Sequence, residues 1–182
     1  MVRETIEVRI LSLYAQGRLF ESYSISEIAR TIGAGYPHVH TTINQMQAQG
    51  ILKTQQYGRT IFCTPNLAND YTRNLLAQAS IKQKNDQLTN TTITQLNKEI
   101  RHLCTNNPTI LAAILTKKNL LVITTNKETT INTRTPTTIF TPEELKDELR
   151  TNHALLNESI ILHGQENIYF YLQDLPTIEV AR

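Results

Sequence analysis

Between Ser24 and Pro65 the hydrophobic period switches once, from helical to alternating, and every boundary in the segment carries its own punctuation. Ser24-Ile25-Ser26-Glu27 has the form of a capping box, in which the serine oxygen accepts from the third helical N–H while the glutamate reaches back to the serine N–H. Ile25, Ile28, Ala29 and Ile32 then recur at helical spacing and form a buried stripe. Gly33-Ala34-Gly35 supplies the backbone freedom of a tight turn. Pro37 suits the first position of another helix, where its missing N–H would have had no partner, and Gly50 is a natural stop. Beyond Gly50, Ile51–Gln56 and Thr60–Thr64 read as two strands around a Tyr57-Gly58-Arg59 turn, closed by Pro65. Ahead of the block, Ile6, Ile10, Leu13 and Tyr14 place a first amphipathic helix over residues 3–16, ended by Gly17.

The order helix, capped helix, tight turn, helix, hairpin is that of a winged helix. The residues resemble MarR-like and related prokaryotic winged-helix regulators in Ser24 to Gly33, in Tyr36-Pro37-His38-Val39-His40, in Gly50-Ile51-Leu52 and in Tyr57-Gly58-Arg59. The resemblance covers residues 1–65, about a third of the chain, and implies sequence-specific DNA binding in transcriptional control.

The helix over 37–49 supports that expectation from its residues alone. Val39, Ile43 and Met46 fall on one stripe, and His38, Thr41, Asn44 and Gln45 lie opposite. This outer face is polar, almost uncharged and rich in groups that both donate and accept. Such groups suit base edges in a major groove, where Asn and Gln pair with adenine and Thr meets a polar edge or the thymine methyl. Arg59 at the hairpin tip fits a wing arginine on phosphate or in the minor groove, and Lys53 and Arg30 are candidate phosphate contacts. Residues 1–73 carry seven basic and five acidic side chains, so a single such domain binds DNA weakly and a homodimer with two half-sites is expected.

From Asn66 to Asn107 the pattern is again helical. Leu67, Tyr71 and Leu75 share one face, and Ile93, Leu96, Ile100 and Leu103 another. The polar stretches Lys84–Gln87 and Thr89–Thr92 read as a break between two helices, the second ended by Asn106-Asn107-Pro108. These helices are the expected dimer contact, although they can equally pack within one subunit. Farther on, Ile110–Leu115, Leu120–Thr125 and Ser159–Leu162 are candidate strands. Thr141-Pro142-Glu143-Glu144 is a second capping box opening a helix to about Arg150, and a closing helix follows Gly164 near Glu166–Leu175. The chain is thus expected to be α+β, with a winged helix-turn-helix at 1–66, a helical connector at 67–107 and a small α/β domain at 108–182.

That last part resembles, faintly, the later portion of the small nucleotidyltransferase fold over Lys118–Thr125, the helix from Thr141 and Glu158–Glu166. The resemblance implies two metal ions held by an Asp-x-Asp pair, since hard cations need carboxylate oxygens. Lys117, Lys118 and Asn119 stand at those positions, and no glycine occurs between Gly58 and Gly164 to supply a Gly-Ser signature. A degenerate domain serving as dimerisation platform or ligand sensor is expected, without catalysis. His102 and Cys104, with Leu103 between them, lack further metal ligands nearby, and His38 and His40 point to different faces of their helix.

Net charge is +2, but residues 135–182 hold eight acidic and three basic side chains, so the remainder carries the positive excess. A basic front and an acidic rear suit a protein that presents one side to a polyanion. Met1-Val2-Arg3-Glu4 lacks the apolar core of a signal peptide, no apolar run is long enough to span a bilayer, and Cys63 and Cys104 show neither disulfide nor zinc spacing. A cytoplasmic protein without cofactor or metal is expected, with double-stranded DNA and a second copy as partners and an effector that the residues do not identify. Two other functions fit: a protein-interaction adaptor built on the winged helix, and a nucleotidyltransferase-type enzyme or antitoxin with an unusual site.

Overall fold

The computed structural model describes residues 5–16 and 18–175, an α+β arrangement with two sheets. The charges at Glu179 and Arg182, the stop assigned to Gly17 and the expected helix start at residues 3–4 lie outside the described residues.

In chain order come α1 (Ile6–Ala15), β1 (Tyr23–Ser24), α2 (Ile25–Thr31), α3 (Tyr36–Ala48), β2 (Leu52–Tyr57) and β3 (Thr60–Pro65). The Thr5 hydroxyl caps α1. Ser24 and Glu27 close the expected capping box on α2, with the serine oxygen accepting from Glu27 N at 3.2 Å and the carboxylate accepting from Ser24 N at 2.8 Å. β2 and β3 pair antiparallel from Leu52↔Pro65 to Tyr57↔Thr60, which leaves Gly58 and Arg59 as the turn. Gly58 adopts φ +58°, the left-handed region that a two-residue hairpin turn demands. β1, absent from the sequence expectation, joins this sheet through Tyr23↔Cys63 and Ser24↔Phe62. At two residues it is too short to show a period, and it is created by β3 rather than by its own pattern.

The second half contains α4 (Asp70–Gln87), α5 (Thr91–Asn106), β4 (Ile110–Leu115), β5 (Leu120–Thr124), β6 (Thr137–Phe140), α6 (Pro142–Thr151), a 3-10 turn at His153–Leu156, β7 (Ile160–His163) and α7 (Gln165–Tyr171). Its sheet has the order β6-β5-β4-β7, antiparallel except for the parallel β5–β6 pair. β6 was not expected. Its Thr137-Thr138-Ile139-Phe140 sequence is only half-buried at the sheet edge and lacks a clean alternation.

The sheet is covered on both faces. Ile110, Ala113, Leu120, Val122 and Leu162 pack with Leu96 and Ile100 of α5. Ala112, Ile114, Leu121, Ile123 and Ile161 face the other way, into a core shared with Leu145 and Leu149 of α6 and Ile168 and Tyr169 of α7. That core continues without a gap through Leu76, Ala77 and Ala79 of α4 into Ile10, Leu13 and Tyr14 of α1 and Ile43 and Met46 of α3. α4 is therefore a shared wall between the two sheets rather than a free connector.

Two readings of this stretch need correction. Leu67, Tyr71 and Leu75 do not share one helical face as expected: Leu67 is buried but precedes the helix, Leu75 packs partly buried against the core and Tyr71 is 57% exposed. The buried face of α4 is Thr72, Leu76, Ala77, Ala79, Ser80 and Lys84. Its polar members make specific bonds, with Ser80 Oγ 2.5 Å from Tyr169 Oη and Lys84 Nζ donating to Leu162 O at 3.3 Å. The break is also narrower than Lys84–Thr92, because Lys84 lies inside α4 and only Leu88–Asn90 separate the helices. Asn90 then caps α5, its Oδ1 accepting from Thr92 N and Ile93 N.

Candidate nucleic-acid interface

α3 is seated by its inner stripe. Val39, Ile43 and Met46 are fully buried, against α1 and the first sheet. Gly35 provides the N-cap, without a side-chain cap bond, and Pro37 occupies the second helical position behind Tyr36, one residue later than expected. The helix stops at Gly50, whose φ of +71° turns the chain so that Ile51 N donates to Met46 O at 2.8 Å. Three side chains then tie that end to α4 and its approach. Asn66 Nδ2 donates to Gly50 O at 2.8 Å, Asn69 Nδ2 to Gln49 O at 3.4 Å and Thr72 Oγ1 to Ile51 O at 3.1 Å. α3 is thus held along its length and at its C-terminal end.

Its outer face is open. His38, Thr41, Asn44 and Gln45 are all exposed and lie together on one side of the helix, opposite the buried stripe. The Thr41 hydroxyl donates to Pro37 O at 3.0 Å, which leaves its oxygen free to accept. Asn44 Nδ2 sits 3.4 Å from His40 Nδ1, so Asn44 keeps its carbonyl and a second N–H for other partners. Sequence reasoning passed over Tyr36. It is 51% exposed and stacks on His40, ring centroids 5.9 Å apart and planes at 27°, which extends the polar face with an aromatic end. The i, i+4 spacing of Tyr36 and His40 across a helix start was the available signal.

The cationic candidates are more dispersed. Arg30 is exposed near the end of α2, Lys53 near the start of β2 and Arg59 in the hairpin turn. Lys53 and Arg59 stand at opposite ends of the hairpin, roughly 17 Å apart along an extended strand, so they address separate points on any ligand. None of the three forms an ion pair among the described residues, whereas Arg18 pairs with Glu21 and Arg73 with Asp70.

Tyr14, Glu27 and the two cysteines serve the fold. Tyr14 Oη donates to Cys63 O at 2.7 Å from the centre of the core. Burial pushes the Cys63 thiol up to about 12 and that of Cys104 to about 11, far from thiolate chemistry at neutral pH. The Ser24 hydrogen bonds hold the Glu27 carboxyl below the ordinary carboxylate range.

In the second half, Lys117 reaches Glu158 at 2.5 Å, Lys118 is exposed and Asn119 opens β5 behind a Thr116 turn. Glu144 closes the second capping box on Thr141 and pairs with Lys127, while Glu143 lies in the same first turn. These carboxylates thus serve a helix start and an ion pair. His102 and Cys104, two apart on α5, point to different surroundings, the histidine exposed and the thiol half-buried against the second core. Among the described residues no three His, Cys, Asp or Glu side chains converge on one point. No family model, curated protein or solved structure matches the chain.

Proposed function

We propose that residues 5–66 are a winged helix-turn-helix that binds double-stranded DNA sequence-specifically, and that the protein is a transcriptional regulator acting in the cytoplasm. The observation that carries this reading is the outer face of α3. It is a rigidly seated helix offering His38, Thr41, Asn44 and Gln45 to solvent with no charged side chain among them. A helix whose outer face only meets water gains solubility from Lys and Glu. A face of neutral donors and acceptors suits base edges, because each base pair shows a distinct donor and acceptor pattern in the major groove. On this reading α3 enters the major groove, the Gly58-Arg59 turn is the wing, and Arg30 and Lys53 neutralise phosphates. Mobility shifts on genomic fragments test it. Retardation of a few fragments in the presence of excess unrelated duplex supports the reading, and absence of any retardation leaves the protein-interaction adaptor in its place.

Arg59 at the wing should contribute through the backbone. Arg59→Ala is expected to weaken binding to all duplexes by a similar factor and to flatten the salt dependence by about one unit of log–log slope. Titrations at several salt concentrations check this. A changed sequence preference with an unchanged salt slope would mean that Arg59 reads bases or groove shape.

The modest positive charge of one copy favours a homodimer with two half-sites. The apolar stripes of α4 and α5 are occupied within the chain, so on this reading a second copy uses the outward side of α4, where Tyr71 and Ile81 are 57% and 39% exposed. Light scattering of the full chain at micromolar concentration should give twice the chain mass, and a monomer there removes the dimer. No catalytic reaction is proposed for residues 108–175, which fit a sensor better than an enzyme.

A further inference from the structure

Parallel neighbours in a sheet are usually joined by a crossover helix, but residues 125–136, which connect β5 to the parallel β6, contain none. The α5 face of the sheet is therefore covered partly by α5 and partly by this extended segment, whose Ile131 packs into the same cluster as Ile93 and Leu103. Between the two lies an open cleft of about 760 Å³. That is within the range of about 300–1,000 Å³ in which small-molecule sites fall.

The chemistry of the cleft is specific. α5 contributes Lys98, Glu99, His102 and Asn106, at spacings that put them on one side of the helix, and the crossover contributes Asn132 and Arg134. Elsewhere in the second half Lys117 pairs with Glu158, Lys127 with Glu144, Lys146 with Asp174 and Arg150 with Asp147, whereas the exposed Arg101 and Lys118 show no ion pair among the described residues and lie outside the cleft lining. Lys98 and Arg134 also have no such partner among the described residues, but both are exposed and line the same concavity. Concave walls focus the field of such charges and favour an anion. A guanidinium takes a phosphate bidentately and an ammonium takes it as a point charge. Around them stand amides: Asn106 Nδ2 lies 3.2 Å from His102 Nδ1 with its carbonyl unengaged, and Asn132 makes no hydrogen bond among the described residues. Glu99, which accepts from Gln95 Nε2 at 3.3 Å, adds one acidic acceptor. A bare inorganic anion would use the two cations and leave most of the cleft and its amides idle.

We propose that this cleft binds an organic phosphate of nucleotide size, with Arg134 and Lys98 on the phosphate and Asn106, Asn132 and Glu99 on the hydroxyl and ring groups of the organic part. These residues are distinct from Lys117–Asn119, and the site stands whether or not residues 5–66 bind DNA. Calorimetric titration of the full chain, without DNA, with AMP, ATP, adenosine and inorganic phosphate tests it. Saturable binding of AMP or ATP is expected, with adenosine and inorganic phosphate each weaker by about tenfold or more. The Lys98→Ala, Arg134→Ala double variant should lose about tenfold or more while its melting temperature is unchanged, and Arg134→Lys should lie between it and the parent. Lys118→Ala, an exposed cation outside the cleft, should bind as the parent does. The proposal is overturned if neither nucleotide gives a saturable signal, if binding survives the double variant, or if Lys118→Ala weakens it equally. It is also overturned if Lys98 and Arg134 matter for duplex DNA and not for AMP or ATP.

Discussion

Gly164→Ala should cost the chain about 2–5 kcal/mol of its stability. Gly164 sits between β7 and α7 at φ +70°, ψ +38°, and a Cβ there would meet Leu111 O at 2.0 Å and Ala112 Cα at 2.9 Å. Both atoms are backbone of β4, one of the two inner strands of the four-stranded sheet, and Leu111 O also accepts from Asn167 Nδ2 at 2.7 Å. No side chain can swing away to make room. The left-handed backbone alone costs an alanine about 1–2 kcal/mol, and an overlap that displaces a packed strand adds about 1–3 kcal/mol or more. Together they approach the lower end of the roughly 5–15 kcal/mol by which domains are stable. For a chain of this length the midpoint of thermal unfolding should fall by about 10 °C or more. Gly58→Ala is the control. Its φ is equally positive, at +58°, but nothing lies within 4 Å of its Cβ, so only the backbone cost applies. Thermal melts of the two variants beside the parent decide the matter, and equal losses would mean that the contact with β4 does not hold.

The comparison of these two glycines shows what a sequence conveys. Gly58 was legible, because a hairpin of two alternating strands around Tyr57-Gly58-Arg59 demands a permissive residue at the turn, and the structure has it there. Gly164 could be seen to follow a strand, but nothing in Ser159–Glu166 shows that Leu111 lies against it. The same division runs through the rest of the molecule. α2, α3, β2, β3, α6 and the paired strands β4 and β5 fall close to where period and caps put them, since each is specified by its own residues. α4 is specified by its neighbours. Its inward face carries Thr72, Ser80 and Lys84, which look like a solvated surface until the partners Ile51, Tyr169 and Leu162 are known. Burial pushes the Lys84 ammonium below the ordinary lysine range, with Arg101 adding to the effect. β1 and β6 are strands because a partner strand is present, and neither holds enough residues to announce itself.

The candidate DNA-binding face was legible for a related reason: exposure on a helix follows from periodicity alone, so His38, Thr41, Asn44 and Gln45 could be named without knowing any contact. What periodicity could not give was how firmly α3 is held. Asn66, Asn69 and Thr72 anchor its C-terminal end through backbone carbonyls that no pattern of residues reveals.

Replacing the two amides of that face should separate affinity from specificity. Asn44 and Gln45 are exposed, so Asn44→Ala, Gln45→Ala is expected to melt within about 2 °C of the parent, as surface changes usually do. An amide reads adenine by offering a donor and an acceptor in one plane, and Asn44 retains both after its contact with His40. Each such bidentate pair discriminates against the wrong base by about 1–3 kcal/mol. If both side chains read bases, the double variant should bind the selected duplex about 100-fold or more weakly, since each 1.4 kcal/mol is worth tenfold. Binding to random duplex should hardly change and the salt slope should stay the same, because no cation has been removed. This is the inverse of the Arg59→Ala pattern, and the two together tell base reading from backbone attraction. The measurement is selection of duplexes from a randomised pool by the parent protein, followed by titration of parent and variant on the enriched and on random sequence at two salt concentrations. A double variant that keeps its preference for the enriched sequence would take α3 out of the major groove. A pool that never enriches would remove sequence-specific DNA binding altogether.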